Sequence, residues 1–343
     1  MRKAWIYGGG FGLLLVVSMI ICLSIGSARV PLGEVWGILL HRIPGIGPHL
    51  AGEPDPAYAV IVTDVRLPRV ILAMLVGASL AVAGAGFQAV LRNPLADPYT
   101  LGVASGASAG AAFAILSGMR LAFGMWSIPA SAFVMGLLTL LLVYTLAGRS
   151  TRKSMETLIL AGVIVQAFFG AFVSLMVSMS RGVINEIVFW LMGSVALRGW
   201  EYSRLLAPLL LVVLVVLVGY SRQLNLFAMG ERHAAHMGAN VHRTKLIVLG
   251  ASTLLTAGAV SVAGTIGFVG LVVPHLIRLL AGPDNRLLIP VTALAGASYV
   301  LWADTAARLA LANQEIPLGV VTALLGTPFF AYLLLKRKRA SGG

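Results

Sequence analysis

The chain has 343 residues, of which 59% are hydrophobic and only 11% are charged, and its mean hydropathy is +0.93. An ordinary soluble domain carries about 25% charged residues. These values exclude a water-soluble enzyme, because a soluble fold cannot bury so much apolar surface, and they exclude a disordered chain, which is poor in apolar residues. The single cysteine, Cys22, excludes a disulfide scaffold.

The formal net charge is +13, from 25 basic and 12 acidic residues. A nucleic-acid-binding protein would gather its basic residues on one soluble face. Here the charges punctuate apolar segments, which is typical of the loops of a membrane protein. We therefore expect a lipid bilayer, and no nucleic acid, as the environment of the chain.

Ten apolar runs predict an all-α integral membrane protein with about ten transmembrane helices. A membrane span needs about 20 apolar residues, and helices are required because every backbone polar group in lipid must be paired within the segment. The weakest runs are 267–281, which is short and contains Arg278, and 287–303, which ends against Asp304. The runs cover residues 5–25, 68–90, 99–117, 127–147, 156–180, 204–220, 245–263, 267–281, 287–303 and 317–335.

The first run follows two basic residues, and 26–28 is a passable signal-peptide cleavage site. We expect the first span to be retained, because the run is long and the rest of the chain is also a membrane protein.

The distribution of basic residues predicts that both termini are cytoplasmic. With ten spans and this orientation, all five lysines and most arginines lie in cytoplasmic segments, as the positive-inside rule requires. We expect one transmembrane domain over 1–343. Its segments outside the membrane include an extracytoplasmic loop at 27–65, a cytoplasmic loop at 221–243 and a basic cytoplasmic tail at 336–343.

Three kinds of chemistry find little support in the sequence. A P-loop needs Gly-Lys-Ser/Thr, and none of the five lysines follows a glycine, so ATP would have to bind another chain. No acidic residue is predicted at a bilayer midplane, which disfavours a proton- or sodium-driven carrier. An intramembrane hydrolase lacks both a Ser/His/Asp arrangement and an H-E-x-x-H zinc motif.

The cytoplasmic loop 221–243 is the longest internal connection on its side. Its 227–237 stretch is compatible with a short helix closed by Gly238. Such a helix would suit a groove on a partner protein, although a plain interfacial connector is the alternative. His233 and His236 lie near too few further ligands for a zinc site, so no metal site is predicted.

Two glycine patterns predict packing features. Gly102, Gly106 and Gly110 are spaced four apart and form one smooth stripe on a helix, which lets a neighbouring helix approach closely. The glycines of 264–270 indicate a break between two helices.

Several segments together resemble the FecCD family, the permeases of ABC importers for vitamin B12, iron siderophores and haem. The resemblance covers about 60–335, and the order and spacing of its motifs make it specific. The matching segments are Arg66-Leu67-Pro68-Arg69, 84–88, Asn93-Pro94-Leu95-Ala96-Asp97-Pro98, 101–103, 160–163, 230–238, 267–275, 303–308 and 317–322.

The resemblance implies one permease domain over the whole chain in the bacterial cytoplasmic membrane. It also implies a second permease subunit, which is a copy of this chain or a relative, two ATPase subunits that bind ATP and Mg²⁺, and an extracytoplasmic substrate-binding protein. The chain itself would hold no cofactor or metal and would not be an enzyme. The expected cargo is a ferric siderophore, with haem or cobalamin as alternatives and an ion-coupled carrier as a less favoured one.

The resemblance further implies three sets of site residues. The first set would receive acidic residues of the binding protein through charge-assisted pairs, unless it contacts lipid headgroups or forms an internal pair such as Arg69 with Asp64. It contains Arg66, Arg69 and Arg308. The second would form the helix that couples to the ATPase, and it contains Gly230, Glu231, Arg232, His233, Ala234 and Gly238.

The third set would close the cytoplasmic end of the transport path. It contains Asn93, Leu95, Ser154, Met155 and Glu156. Family members often carry small polar residues where this chain has Met155 and Glu156, so Glu156 has a second interpretation as a residue whose charge suits the start of its helix.

Overall fold

The computed structural model describes residues 2–26, 29–42, 55–147, 155–180, 182–311 and 314–341. Every regular element in these ranges is helical, which confirms the predicted fold class. A π-turn over Ile61–Arg66 interrupts the third helix, and a 3₁₀ turn covers Pro98–Leu101. The α-helices are α1 (Arg2–Ser24), α2 (Leu32–His41), α3 (Pro56–Leu91), α4 (Val103–Leu116), α5 (Met119–Phe123), α6 (Ser127–Leu146), α7 (Met155–Met179), α8 (Ile184–Leu191), α9 (Trp200–Gly219), α10 (Ser221–Phe227), α11 (Glu231–His236), α12 (Val241–Ala263), α13 (Val269–Ala281), α14 (Asn285–Leu309) and α15 (Leu318–Ser341).

Ten of these helices coincide with the ten predicted spans. Within the described ranges, seven are long and apolar enough to cross a membrane, namely α1, α3, α6, α7, α9, α12 and α14. Three shorter apolar helices, α4, α13 and α15, accompany them. The two weakest predicted runs are therefore helices as well.

Two boundaries differ from the prediction. The outer loop predicted at 27–65 contains α2, and α3 already begins at Pro56. Asp55 starts α3 by accepting a hydrogen bond from the Ala57 backbone N–H at 2.8 Å, and proline is favoured at the first helical position. The short helix α8 was not predicted, because eight residues are too few to give a span signal.

Contacts between helix ends define two opposite faces of the helix bundle. At one face, the end of α1 meets the π-turn of α3 and the end of α14, since Arg66 and Arg308 donate to backbone carbonyls at 23–25. The other face joins the start of α1 to the end of α13. Contacts there are Tyr7 with Leu280, Gln88 with Arg278, and Asn225 with Asp284. These contacts require α1 and α3 to run in opposite directions, and likewise α13 and α14, as predicted, and the basic loops mark the second face as cytoplasmic.

Small residues set the packing at the centre of the bundle. Helices α3 and α14 approach so closely at Gly77 and Gly296 that a methyl group on Gly77 would lie 2.8 Å from the Gly296 carbonyl carbon. Of the predicted glycine stripe, Gly102 has a φ of 77° and precedes α4, so it is not part of the stripe. Gly106 and Gly110 lie on α4 and pack against α6, where a methyl group on Gly106 would lie 2.9 Å from the Met135 carbonyl oxygen. Close backbone approach of this kind is a usual source of helix association in membranes.

Candidate functional site

The first site lies at the outer face and centres on Arg69, which holds two carboxylates at once. Its Nε is 3.1 Å from both oxygens of Asp304, and its Nη2 is 2.8 Å from one of them. Its Nη1 and Nη2 also donate to the two oxygens of Glu315 at 2.9 Å. Asp304 is almost fully buried, whereas the Glu315 side chain is 47% exposed. The internal pair of Arg69 is therefore formed with Asp304 and Glu315, and not with Asp64, which accepts from Thr63.

Arg308 shares Asp304 with Arg69. Its Nε lies 3.2 Å from the second oxygen of Asp304, and its Nη2 donates to the Thr305 hydroxyl at 3.1 Å. Its Nη1 reaches the carbonyl of Ile25 at 3.4 Å. One buried carboxylate thus neutralises part of the charge of two arginines, and Arg308 also fastens the end of α1.

Arg66 lies inside the outer end of the bundle. The residue is only 5% exposed, and its Nη1 donates to the carbonyls of Leu23 at 2.6 Å and Ser24 at 3.1 Å. A cation at the C-terminus of a helix satisfies carbonyls that lack an intrahelical partner and suits the helix dipole. A docked protein would not reach this guanidinium unless the end of α1 moved, so the structure gives Arg66 a capping position and not a surface one.

The second site is the cytoplasmic loop. The short helix expected within 227–237 is α11, which covers only Glu231–His236, and the unpredicted helix α10 precedes it. Gly230 lies between α10 and α11 and starts α11, because its φ of 102° is outside the helical region and is open to glycine. Gly238 closes α11 as predicted. It has a φ of 84°, and the next backbone N–H bonds back to the carbonyl of Ala234 at 2.9 Å, as in a Schellman cap.

Helix α11 has one face against the protein and one face exposed. Ala234 is fully buried, and Glu231 pairs with Lys245 of α12 at 2.7 Å. Arg232 and His233 are exposed. His236 is also exposed, and within the described ranges no group of three or more His, Cys, Asp or Glu residues is placed to hold a metal ion.

The residues expected to close the path lie in two segments near α7. Asn93 and Leu95 form an exposed turn after α3, in which the Asn93 side chain accepts from the Leu95 backbone N–H at 2.9 Å. Met155 begins α7, Glu156 is exposed in its first turn, and Ser154 lies outside the described residues. That these residues together close the cytoplasmic end of the transport path stays a prediction.

The 3₁₀ turn that follows Asn93 and Leu95 packs on α7. A methyl group on Gly162 of α7 would lie 3.0 Å from the Cα of Leu101. At the start of the turn, Asp97 accepts from the Tyr99 backbone N–H at 2.8 Å, and burial raises the pKa of its carboxyl to about 6. The packing of Leu101 against Gly162 therefore connects the segment after Asn93 and Leu95 to the helix that starts at Met155.

Sequence reasoning missed the partners that hold the predicted site residues in place. Asp304 and Arg308 carry a readable signal, since opposite charges four residues apart meet on a helix face. Glu315 and Lys245 carry none. Glu315 is far from Arg69 in sequence, and Lys245 meets Glu231 only because the cytoplasmic loop folds back on α12.

Comparison with known proteins is consistent with this architecture. The family model described as the FecCD transport family matches residues 14–336. An uncharacterized ABC transporter permease protein of Bacillus subtilis, YvrB, is 44% identical over 98% of this chain and 94% of its own length. The cobalamin import system permease protein BtuC of Halobacterium salinarum is 37% identical over 98% and 97%. A solved structure described as an inward-facing metal-chelate type ABC transporter has a TM-score of 0.83 at 36% identity, and it covers 96% of this chain and 98% of its own.

Proposed function

Since the chain belongs to the FecCD transport family and is the permease subunit of an ABC importer in the cytoplasmic membrane, we propose that it carries a ferric siderophore. The observation that carries the proposal is the match of the whole chain to the metal-chelate type transporter structure. Haem and cobalamin are the alternative cargoes, and a relative named for cobalamin keeps the second one open.

ATP hydrolysis on a separate subunit would drive transport. The full sequence offers no Gly-Lys pair for a P-loop, so ATP and Mg²⁺ would be bound by the partner ATPase. The exposed residues Arg232 and His233 of α11 are the proposed contacts with that ATPase. Glu231 has a different task, because its pair with Lys245 fixes α11 to α12 and so passes a displacement of the loop into a membrane span.

A substrate-binding protein would dock on the outer face around Arg69 and Arg308. Arg69 already uses four of its five N–H donors on two carboxylates, so a carboxylate of the docked protein that binds through two donors has to replace one of them. Glu315 is the replaceable one, because it is half exposed and Asp304 is buried between two arginines. Arg66 supports this face from inside by holding the end of α1.

A second permease subunit, most simply a copy of this chain, would complete the transport path. Helix α7 supports this, because most of its apolar side chains are exposed within the single chain. The cytoplasmic end of the path would close at Asn93, Leu95 and the start of α7, with Ser154, Met155 and Glu156. The exposed apolar side chains of α7 include Leu160, Val163, Ile164, Phe168 and Phe172.

The test of cargo is uptake by cells that lack this chain. Radio-labelled iron is offered as ferric siderophores and as haem, and radio-labelled cobalt as cobalamin. We expect loss of ferric-siderophore uptake alone, restored when the gene is returned. Loss of haem or cobalamin uptake alone would replace the siderophore by that cargo, and normal uptake of all three would refute the proposed cargo class.

The test of the assembly is purification of the tagged permease from native membranes. We expect a P-loop ATPase to copurify with the wild-type chain and to be lost from the Arg232→Glu/His233→Glu double variant. Arg222→Glu is the matched control, since Arg222 is an exposed residue of α10 outside the proposed contact. A permease that purifies without any ATPase would favour a carrier that works alone.

A further inference from the structure

A pocket of about 230 Å³ opens at the outer face, away from the arginine cluster around Arg69. It lies between the outer ends of α4 and α12, the starts of α6 and α9, and helix α8. None of the site residues discussed above lines it. Its polar lining is formed by Arg120, Glu186, Trp190, Ser194, Arg198 and Tyr202.

The pocket carries an excess of positive charge. Arg198 has no carboxylate partner among the residues that the structure describes, and it donates to the Tyr202 hydroxyl at 3.0 Å while it stacks on the Tyr202 ring. Arg120 is 3.6 Å from Glu186, and the two side chains are 66% and 46% exposed. A pair that is this long and this exposed holds the guanidinium weakly. Two cations therefore face one loosely bound anion.

One residue of the lining, Trp190, carries an unused hydrogen-bond donor. The indole N–H of Trp190 is buried and has no partner within the described part of the chain. A buried donor without a partner costs free energy, which an acceptor on a bound molecule would recover. Nearby Ser194 adds a hydroxyl to the lining.

The remaining lining and the rim are apolar. The remaining lining is formed by Ile115, Met125, Ile128, Pro129, Phe189, Ala263 and Gly264. Beside the lining arginines, Leu121 is 95% exposed and Leu197 is fully exposed. Trp126, which stacks near Tyr202, is 38% exposed, and tryptophan is enriched where a membrane protein meets the headgroup layer. These features place the mouth of the pocket at the level of the lipid headgroups.

We propose that this pocket binds the phosphate of an anionic phospholipid of the outer leaflet, with Arg120 and Arg198 on the phosphate and the apolar rim against the acyl chains. Guanidinium groups favour phosphate because they offer several donors in a fixed plane. One negative charge would neutralise the excess charge of the lining. The acyl chains would cover the exposed apolar side chains of the rim, Leu121 and Leu197.

The test is native mass spectrometry of the full-length permease from nanodiscs that contain phosphatidylcholine with increasing phosphatidylglycerol. We expect the wild type to retain one phosphatidylglycerol in preference to phosphatidylcholine. Arg120→Gln and Arg198→Gln should each weaken this retention by about tenfold, since each removes a charge-assisted contact. Trp190→Phe, which keeps the ring and removes the N–H, should weaken it less.

Arg204→Gln is the matched control, because Arg204 is an exposed arginine of α9 outside the pocket, and it should retain the lipid like the wild type. The proposal would be overturned if the wild type and Arg198→Gln each retained phosphatidylglycerol no better than phosphatidylcholine. A second arm adds inorganic phosphate to the same nanodiscs. Displacement of the lipid at millimolar phosphate would overturn the assignment to a lipid and identify a site for a soluble oxyanion.

Discussion

At the scale of single residues, Asp304 is the group on which the outer face depends. Its carboxylate is 2% exposed and contacts Arg69 and Arg308, while Arg69 also holds the half-exposed Glu315. Removal of one partner from a buried pair is costly because the other charge stays buried without compensation. An exposed pair is worth little, because water and salt screen it. The two carboxylates of Arg69 should therefore differ sharply in their contribution to stability.

The first prediction compares Asp304→Asn with Glu315→Gln. We expect Asp304→Asn to lower the free energy of unfolding by roughly 3–5 kcal/mol, and Glu315→Gln to lower it by about 1 kcal/mol or less. The apparent melting temperatures of the purified variants in detergent, followed by the loss of the monodisperse peak, rank the two losses of stability. Equal loss of stability in the two variants would show that Glu315 is structural, and its exchange with a docking carboxylate would then be untenable.

The same pair of variants separates stability from docking. If the binding protein replaces Glu315, then Glu315→Gln should bind it more tightly than the wild type, because a neutral amide competes less well for Arg69. The measurement is the affinity of the assembled transporter for the binding protein that it captures. Weaker binding by Glu315→Gln would instead make Glu315 part of the docking contact.

At the scale of elements, the sequence was informative wherever a helix is long and apolar. All ten apolar runs became helices, and seven of them are long and apolar enough to cross a membrane. It failed at α8 and at the first turns of α3, where a short helix or a proline-rich start leaves no such signal. The sequence indicated which arginines lie at the outer face. It did not indicate the residues that pair with them, because contacts such as Arg69 with Glu315 join residues far apart in the chain.

Backbone contact between α3 and α13 gives a prediction at this scale. A methyl group on Gly84 would lie 2.6 Å from the Cα of Gly270, and a backbone atom cannot move aside as a flexible side chain can. We expect Gly84→Ala to lower the stability of the permease by about 1–3 kcal/mol through overpacking. Gly250→Ala in α12 is the control, since nothing lies within 4 Å of the added methyl group, and it should change little. A Gly84→Ala variant with a wild-type melting temperature would contradict the close approach.

At the scale of the whole molecule, charge and packing describe the same two faces independently. The basic loops define an inner face by the positive-inside rule. Side-chain contacts define it again, because the start of α1, the end of α13 and the loop 221–230 meet there while the end of α1 meets α3 and α14 on the other side. The orientation was readable from sequence because lysine and arginine counts need no knowledge of contacts. The partners that we propose to cover α7 were not readable, since they would belong to other chains.

The last prediction tests this orientation directly by labelling with a membrane-impermeant maleimide. Cys22 is fully buried and is first replaced by Ala, and single cysteines are then placed at exposed positions of each face. Leu311 is 51% exposed just after α14 at the outer face, and Met229 and Met237 are 65% and 67% exposed in the cytoplasmic loop. In cells that express the permease without partner subunits, Leu311→Cys should react in intact cells, and Met229→Cys and Met237→Cys only after permeabilisation. Labelling of Met229→Cys in intact cells would show that the two faces are assigned the wrong way round. Arg69 and Arg308 would then lie on the side where the ATPase is expected.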